Sequence, residues 1–476
     1  MKVARCFRQR IALTIASLGG LLIAPCLLSC NLVDALAPSF QAAGPASCAS
    51  GIEPAAQRDA CVFGQGASPS QTIACPDSGP DIPVQHIIVL MQENRSFDHY
   101  LGHLPGHGQD DVDVAPPGTS NPLPPGVTDG AGSTVVPWTH GTSHCFDNPN
   151  HSWSGSHRAW NQGANDGFVI ASGTPNDDEG NDPTGSRAMT YYDDSDLPFY
   201  YQLASTFAIS DRYFSEVLGP TFPNRLYLYA GSSFGIVGDD IDTDLHRTIF
   251  AVLNDRGISW KVYASEVPAA LLTASFAIDS IGHIAGIDDF AEDARQGQLP
   301  AVSWVDPVFL TAAATLSSEE APGDMQIGQQ FVYRQVSALM SSPSWATSAM
   351  FITYDETGGL YDHVPPPAAC PPDGTPPSDQ ADLGGFDRHG FRVPLFVVSP
   401  YARAHFVSHA VHSHTSILRF IETRFGLPAL SSRDANADAL LDMFDFASPP
   451  FLSPPDLQAP TVDAAQLAAC SARYGR

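Results

Sequence analysis

The sequence predicts an α/β fold with a mostly parallel central sheet and long loop insertions. Two observations carry that expectation. Short apolar runs rich in Val, Ile, Phe and Tyr recur along the chain, each bounded by polar or turn residues. Segments with apolar residues at three-to-four spacing lie between them. Strands that alternate with helices in this way belong to folds with a mainly parallel sheet.

The runs expected as buried strands are His86–Met91, Ile258–Tyr263, Ala301–Val305, Ala349–Tyr354 and Val393–Val398. Each is too short for a helix and rich in β-branched or aromatic residues. The expected helices are Leu197–Phe207, Pro223–Gly231, Gly328–Met340 and Thr415–Phe425. Pro223 suits a first helical turn, where its missing N–H costs nothing. Long loops are expected at Gln109–Val136, Ser172–Ser186 and Pro365–Gly385. Loops of that length usually cover or build a site.

The 476 residues carry 51 acids, 23 bases and nine cysteines. A formal charge of −28 lacks the basic footprint of a nucleic-acid binder, so no such partner is expected. Lysine occurs only at Lys2 and Lys261. A phosphate substrate would therefore need a metal, a few arginines or backbone N–H groups to neutralise it. Lys2, Arg5, Arg8 and Arg10 precede the charge-free run Ile11–Leu28, the pattern of a secretory signal. The run closes on Leu27-Leu28-Ser29-Cys30, which resembles a bacterial lipobox with Cys30 as the lipidated residue. Residues 1–29 are thus expected as a lipoprotein-type signal peptide. Export to the bacterial cell envelope, or secretion, follows, with a membrane anchor at Cys30; an uncleaved anchor is the alternative. Cys48, Cys61, Cys75, Cys145, Cys370 and Cys470 lack metal-ligand spacing and are expected to pair as disulfides. Residues 30–82 read as a tether and Cys-rich segment, 83–445 as the catalytic domain, and 446–476 as a C-terminal extension.

Three constellations carry chemistry. The run from His86 feeds directly into Glu93-Asn94-Arg95-Ser96, hard oxygen donors at a strand end. Helix capping by Asn94 or Ser96 is the plain alternative. The run Phe351–Tyr354 likewise ends in Asp355-Glu356, followed by Gly358-Gly359 and by Asp362-His363. If the two strands are neighbours, they present a carboxylate-rich metal site. Finally, Gly219-Pro220-Thr221-Phe222-Pro223-Asn224-Arg225 places Thr221 at a helix N-terminus, where anions are favoured. Thr221 is then either a nucleophile or a simple cap. Histidines gather at His144, His151 and His157, and again at His405, His409, His412 and His414, without a zinc spacing.

Together these segments resemble the bacterial phosphoesterase family, which holds phospholipases C and an acid phosphatase of the same fold. The resemblance runs through Glu93–Gly102, Trp160–Phe168, Gly219–Arg225, Leu299–Trp304, Phe351–Pro367, Gly385–Arg403 and His414–Pro428. It covers about residues 83–435 and implies a three-layer, alkaline-phosphatase-like α/β domain. It also implies a metal-dependent phosphoric ester hydrolase. Glu93, Asn94, Asp355, Glu356 and Thr221 would hold one divalent ion, and oxygen donors favour Ca, Mg or Mn over Zn. Thr221 would take the phosphoryl group as phosphothreonine. His151 would face the phosphate as donor or general acid, Asn94 would assist it, and His363 is a weaker catalytic candidate. The expected substrate is a phospholipid head-group diester, as for a phospholipase C. The alternatives are an acid phosphatase acting on small phosphomonoesters and a surface binding protein with a decayed site. One departure motivates the last. The family often has a histidine in Glu-His-Pro-Pro, where this chain has Glu320-Ala321-Pro322-Gly323.

Overall fold

Eight strands form the central sheet: β1 His86–Gln92, β2 Ala208–Ser210, β3 Trp260–Ala264, β4 Ile284–Gly286, β5 Val302–Asp306, β6 Ser348–Tyr354, β7 Leu395–Val398 and β8 Phe406–Ser408. The computed structural model describes residues 54–73, 79–129, 131–173, 184–308, 315–380 and 382–475. The expected signal peptide, Cys30, Cys48 and Cys75 lie outside the described residues. All described residues fall within one compact unit, Cys48–Arg476.

The strand order is β8-β2-β7-β6-β1-β5-β3-β4. Every neighbouring pair is parallel except those made by β7, which runs antiparallel to β6 and to β2. Pro394 cannot donate to a ladder, and β7 starts just after it. In β1, Ile87–Leu90 are at most 1% exposed, so the strand is covered on both faces. That burial is what a parallel sheet sandwiched between layers demands, and it explains the unbroken apolar runs. All five expected strands are present, each within two residues of its expected limits. The sequence pattern missed β2, β4 and β8, because three residues are too few to show a period.

The helices that position the site are α1 Phe97–Leu101, α2 Trp153–Trp160, α3 Pro198–Thr206, α4 Thr221–Ala230, α5 Met325–Met340 and α6 His414–Phe425. A last helix, α7 Ala464–Tyr474, closes the chain. The four expected helices correspond to α3, α4, α5 and α6. Helix α4 packs against α6, and Gly231 ends α4 in the left-handed region with φ 70°.

Both ends of the described chain are stapled to the body. Cys61–Cys370 holds the segment after the short helix Pro54–Asp59, and Cys145–Cys470 holds α7. Arg58 adds an ion pair to Asp438 at 3.1 Å. Among the described residues, no helix is long and apolar enough to cross a membrane.

The staple on α7 is testable. Replacing Cys145 and Cys470 together by Ser should cost roughly 2–4 kcal/mol. Thermal unfolding should report a lower Tm, and hydrogen exchange should show α7 opening first. An unchanged Tm with α7 still protected would show that the helix docks without the disulfide.

Candidate active site

Strands β1 and β6 are neighbours, with Gln92 opposite Tyr354. The next residues on each strand, Glu93 and Asp355, therefore leave the sheet side by side. Asp355 N donates to Gln92 O at 3.2 Å, and Asn94 N donates to Asp355 Oδ1 at 3.2 Å. Asn94 sits at φ 63°, a left-handed conformation that asparagine tolerates. Its side-chain amide aims one terminal atom at both carboxylates, 2.7 Å from Glu356 Oε1 and 3.2 Å from Asp355 Oδ1. With nitrogen there, the amide donates to both. With oxygen there, three oxygens converge as ligands of a cation do. Ser96, not Asn94, caps α1, accepting His99 N at 3.2 Å. Gly358 (φ 63°) lets the two loops meet, since a Cβ there would stand 2.8 Å from Asn94 Cβ.

Helix α4 closes the site. Pro220 is its cap and Thr221 its first residue, so the Thr221 hydroxyl is not the cap. Asp239 Oδ1 instead accepts Phe222 N at 2.9 Å. One turn on, on the same face of α4 as Thr221, Arg225 donates from Nε to Asp355 Oδ2 at 3.0 Å and lies 3.2 Å by Nη2 from Glu93 Oε1. His151 donates from Nδ1 to Pro149 O at 2.8 Å, which leaves Nε2 facing Glu356 Oε1 at 3.8 Å.

Glu93, Asp355 and Glu356 are at most 4% exposed, and Arg225 is 1% exposed. Burial pushes the Glu93 carboxyl well above the usual range; Arg225 opposes this, and Glu320 and Asp355 add to it. Burial does the same to Glu356, with His151 opposing and Asp355 adding. Glu93 Oε2 accepts no hydrogen bond. Three buried carboxylates and one amide thus surround too little positive charge. This donor set fits an oxygen-liganded divalent cation.

Behind the donors lies a buried carboxylate that sequence reading passed over. Glu319 accepts hydrogen bonds from Tyr100 Oη at 2.7 Å, Tyr354 Oη at 2.9 Å and Gln92 Nε2 at 3.1 Å, and also from Tyr200 Oη. Gln92 and Tyr354 immediately precede Glu93 and Asp355, so one carboxylate anchors both ligand-bearing strand ends. Gly328 of α5 makes room for it, since a Cβ there would lie 2.0 Å from Glu319 Cγ. His414, at the start of α6, bonds Asp355 O at 2.7 Å, and Tyr213 Oη holds its Nδ1 at 2.9 Å.

His363 is placed differently from the other catalytic candidates. Its Nδ1 meets Asp98 Oδ2 at 2.7 Å and its Nε2 meets Asp113 Oδ1 at 3.0 Å. Arg392 joins the same network through Asp98 (3.1 Å) and Asp362 (2.8 Å). With both ring nitrogens on carboxylates, His363 braces the loop after Glu356. Ala321 is buried on the loop that reaches the donors, where Ser318 O accepts Glu93 N at 2.8 Å and Glu320 accepts Asn148 Nδ2 at 3.1 Å. Its methyl stands where a histidine was expected. The His144 ring approaches this loop at Asp324, at 3.8 Å, and also faces Asp196 at 3.4 Å. Asp306, at the end of β5 beside β1, was also missed. Burial raises it to about 6 although Arg225 opposes this, and it accepts Ala269 N at 2.8 Å.

Comparison with known proteins gives four findings. The Phosphoesterase family model matches residues 84–428. Phospholipase C B of Mycobacterium tuberculosis is 37% identical over 433 residues, covering 79% of this chain and 80% of its own. Non-specific phospholipase C1 of Arabidopsis thaliana is 33% identical over 393 residues, covering 77% of this chain and 72% of its own. Among solved structures, a Vibrio parahaemolyticus protein of the alkaline phosphatase superfamily overlays 52% of this chain and 64% of its own, with 9% identity and a TM-score of 0.32.

Asp306 yields a pH prediction. Its folded pKa of about 6 lies above the unfolded value near 3.8. Any stability it lends is present below the unfolded value and lost as pH rises through about 6. Asp306→Asn keeps an acceptor for Ala269 N and removes the charge. Thermal melts should show the variant more stable than the parent at pH 8, by roughly 1–3 kcal/mol, and equal to it at pH 4. A gain independent of pH would refute a charged Asp306 as the cause.

Proposed function

We propose, from the premise that the chain belongs to the Phosphoesterase family and is a phosphoric ester hydrolase, that it is phospholipase C-like and cleaves phospholipid head-group diesters through Thr221. The supporting relatives are named phospholipase C at 30–37% identity. The observation that carries the reading is the in-register meeting of Glu93-Asn94 with Asp355-Glu356, linked through Arg225 to the helix that begins at Thr221.

Thr221 Oγ1 attacks phosphorus, and the bond to the glycerol oxygen breaks. Water then cleaves the phosphothreonine, releasing the phosphorylated head group and restoring the hydroxyl. His151 presents Nε2 towards the site, takes the Thr221 hydroxyl proton and delivers it to the leaving glycerol oxygen; in the second step it takes a proton from the attacking water and returns it to Thr221. The Asn94 amide and the Thr221 N–H at the start of α4 stabilise the developing phosphoryl charge. A divalent ion bound by Glu93, Asn94, Asp355 and Glu356, with Thr221 as a further ligand, would supply Lewis-acid stabilisation of a phosphoryl oxygen. Two long-range disulfides suit an oxidising compartment, which supports export; attachment to the cell envelope through Cys30 rests on the lipobox-like sequence.

The test compares hydrolysis of phosphatidylcholine with that of p-nitrophenyl phosphate, after chelation and re-addition of single metals. Diester turnover should dominate and return with Ca, Mg or Mn. Thr221→Ala should lower it by at least about 1,000-fold, the order expected for losing a nucleophile. Asp355→Asn should weaken metal rescue as well. Dominant monoester turnover would sink the lipase reading, and an active Thr221→Ala enzyme would remove Thr221 from its role.

A further inference from the structure

A second group of ligand-type side chains lies just ahead of α6. His412 is fully buried, and its Nε2 stands 3.3 Å from Asp438 Oδ1 and 3.4 Å from Asp442 Oδ1. Neither approach has hydrogen-bond geometry, and both His412 Nε2 and Asp442 Oδ1 are left without a hydrogen bond. A charged hydrogen bond would bring such atoms to about 2.7–2.9 Å. The observed separations match the ~3.3 Å edge of a tetrahedron whose bonds to a central ion are ~2.0–2.1 Å.

The outer atoms of all three residues are held as metal ligands usually are. His412 Nδ1 faces Ser210 Oγ at 3.4 Å, Asp438 Oδ2 takes Arg58 at 3.1 Å, and Asp442 Oδ2 accepts the Ser408 hydroxyl. The Asp438 and Asp442 side chains are 33% and 40% exposed, while the facing atoms His412 Nε2 and Asp442 Oδ1 are shielded from solvent. Two other histidine–carboxylate groups lack this geometry. In Asp98–Asp362–His363, both ring nitrogens make short contacts and Arg392 already supplies a charge. In His140–Asp193–Asp196, His140 bonds Asp196 directly at 2.8 Å.

We propose that His412, Asp438 and Asp442 form a second divalent-metal site, of zinc type, separate from the Glu93–Asn94–Asp355–Glu356 set. One nitrogen and two carboxylate oxygens suit zinc better than calcium or magnesium. The ion would join three parts of the chain: the segment before α6, the 438–442 loop, and Arg58 of the N-terminal helix. His414, two residues on, bonds the carbonyl of Asp355. The role is structural, since none of the three side chains reaches the reacting atoms. Burial lowers the His412 pKa, but Asp438 and Asp442 outweigh it and hold the ring at about 9 without an ion. Zinc must therefore displace a proton at neutral pH.

The test uses the full chain carrying Asp355→Asn and Glu356→Gln, which disables the first donor set. After dialysis against zinc, elemental analysis should find one equivalent per chain, and zinc should raise Tm by a few degrees. Adding Asp442→Asn or Asp438→Asn should remove both the retained zinc and the Tm shift. Should either variant misfold, proton release on adding zinc to the parent double variant at pH 7 decides instead. No retained zinc, zinc retained despite both Asn substitutions, or no proton release would each overturn the proposal and leave His412 as a salt-bridged imidazolium.

Discussion

The arrangement depends on one guanidinium. Arg225 touches Asp355 and Glu93 from a helix that begins at Thr221, so a single buried cation ties α4 to the ends of β1 and β6. Truncating it would strand two buried carboxylates, a loss of about 3–5 kcal/mol for a broken buried pair. Yet it cannot neutralise the set alone. Glu356 lies outside its reach and is held up by burial, with His151 and the Gly358 N–H opposing. The site is therefore stable enough to form and electrostatically incomplete. Incompleteness of this kind makes the donors available to an added cation.

Glu319 solves the complementary problem of position. Donor oxygens stabilise charge only when they are held in place beforehand. Strand ends tend to fray, and here each ligand pair is preceded by a residue bound to the same buried carboxylate. Tyr100 extends the anchor to α1 and, through Arg95 Nε at 2.8 Å, back to the residue after Asn94. His414 supports the Asp355 backbone from α6. Both donor-bearing strand ends are thus fixed by groups outside the donor set.

The parts legible in the sequence were those with local signals. Unbroken apolar runs marked the buried strands, because a strand covered on both faces must be apolar throughout. Carboxylates placed directly after such runs marked the donors, because the end of a parallel strand opens to a ligand. Strand direction was not legible: β7 carries the same apolar pattern as its parallel neighbours and runs the other way. Glu319 was passed over because its meaning comes from partners as far as 227 residues away, such as Gln92. Asp306 looked like an ordinary strand end until β5 proved to be the neighbour of β1. Two disulfide pairings emerged only from the fold, since 309 and 325 residues separate their partners.

Ala321 is where these threads meet. Its loop is set on either side, by Ser318 O at Glu93 N and by Glu320 at Asn148, and next to it Glu319 is locked among three tyrosines and a glutamine. The missing histidine therefore does not reflect a displaced loop. A methyl can neither donate a hydrogen bond nor pass a proton, so on the proposed mechanism those tasks fall to His151, Asn94 and the Thr221 N–H. None of the donors, Arg225 or Thr221 depends on the absent ring. On the proposed mechanism, the substitution bears on how tightly the departing or entering group is held. The reaction class rests on strand ends and a helix start that remain intact.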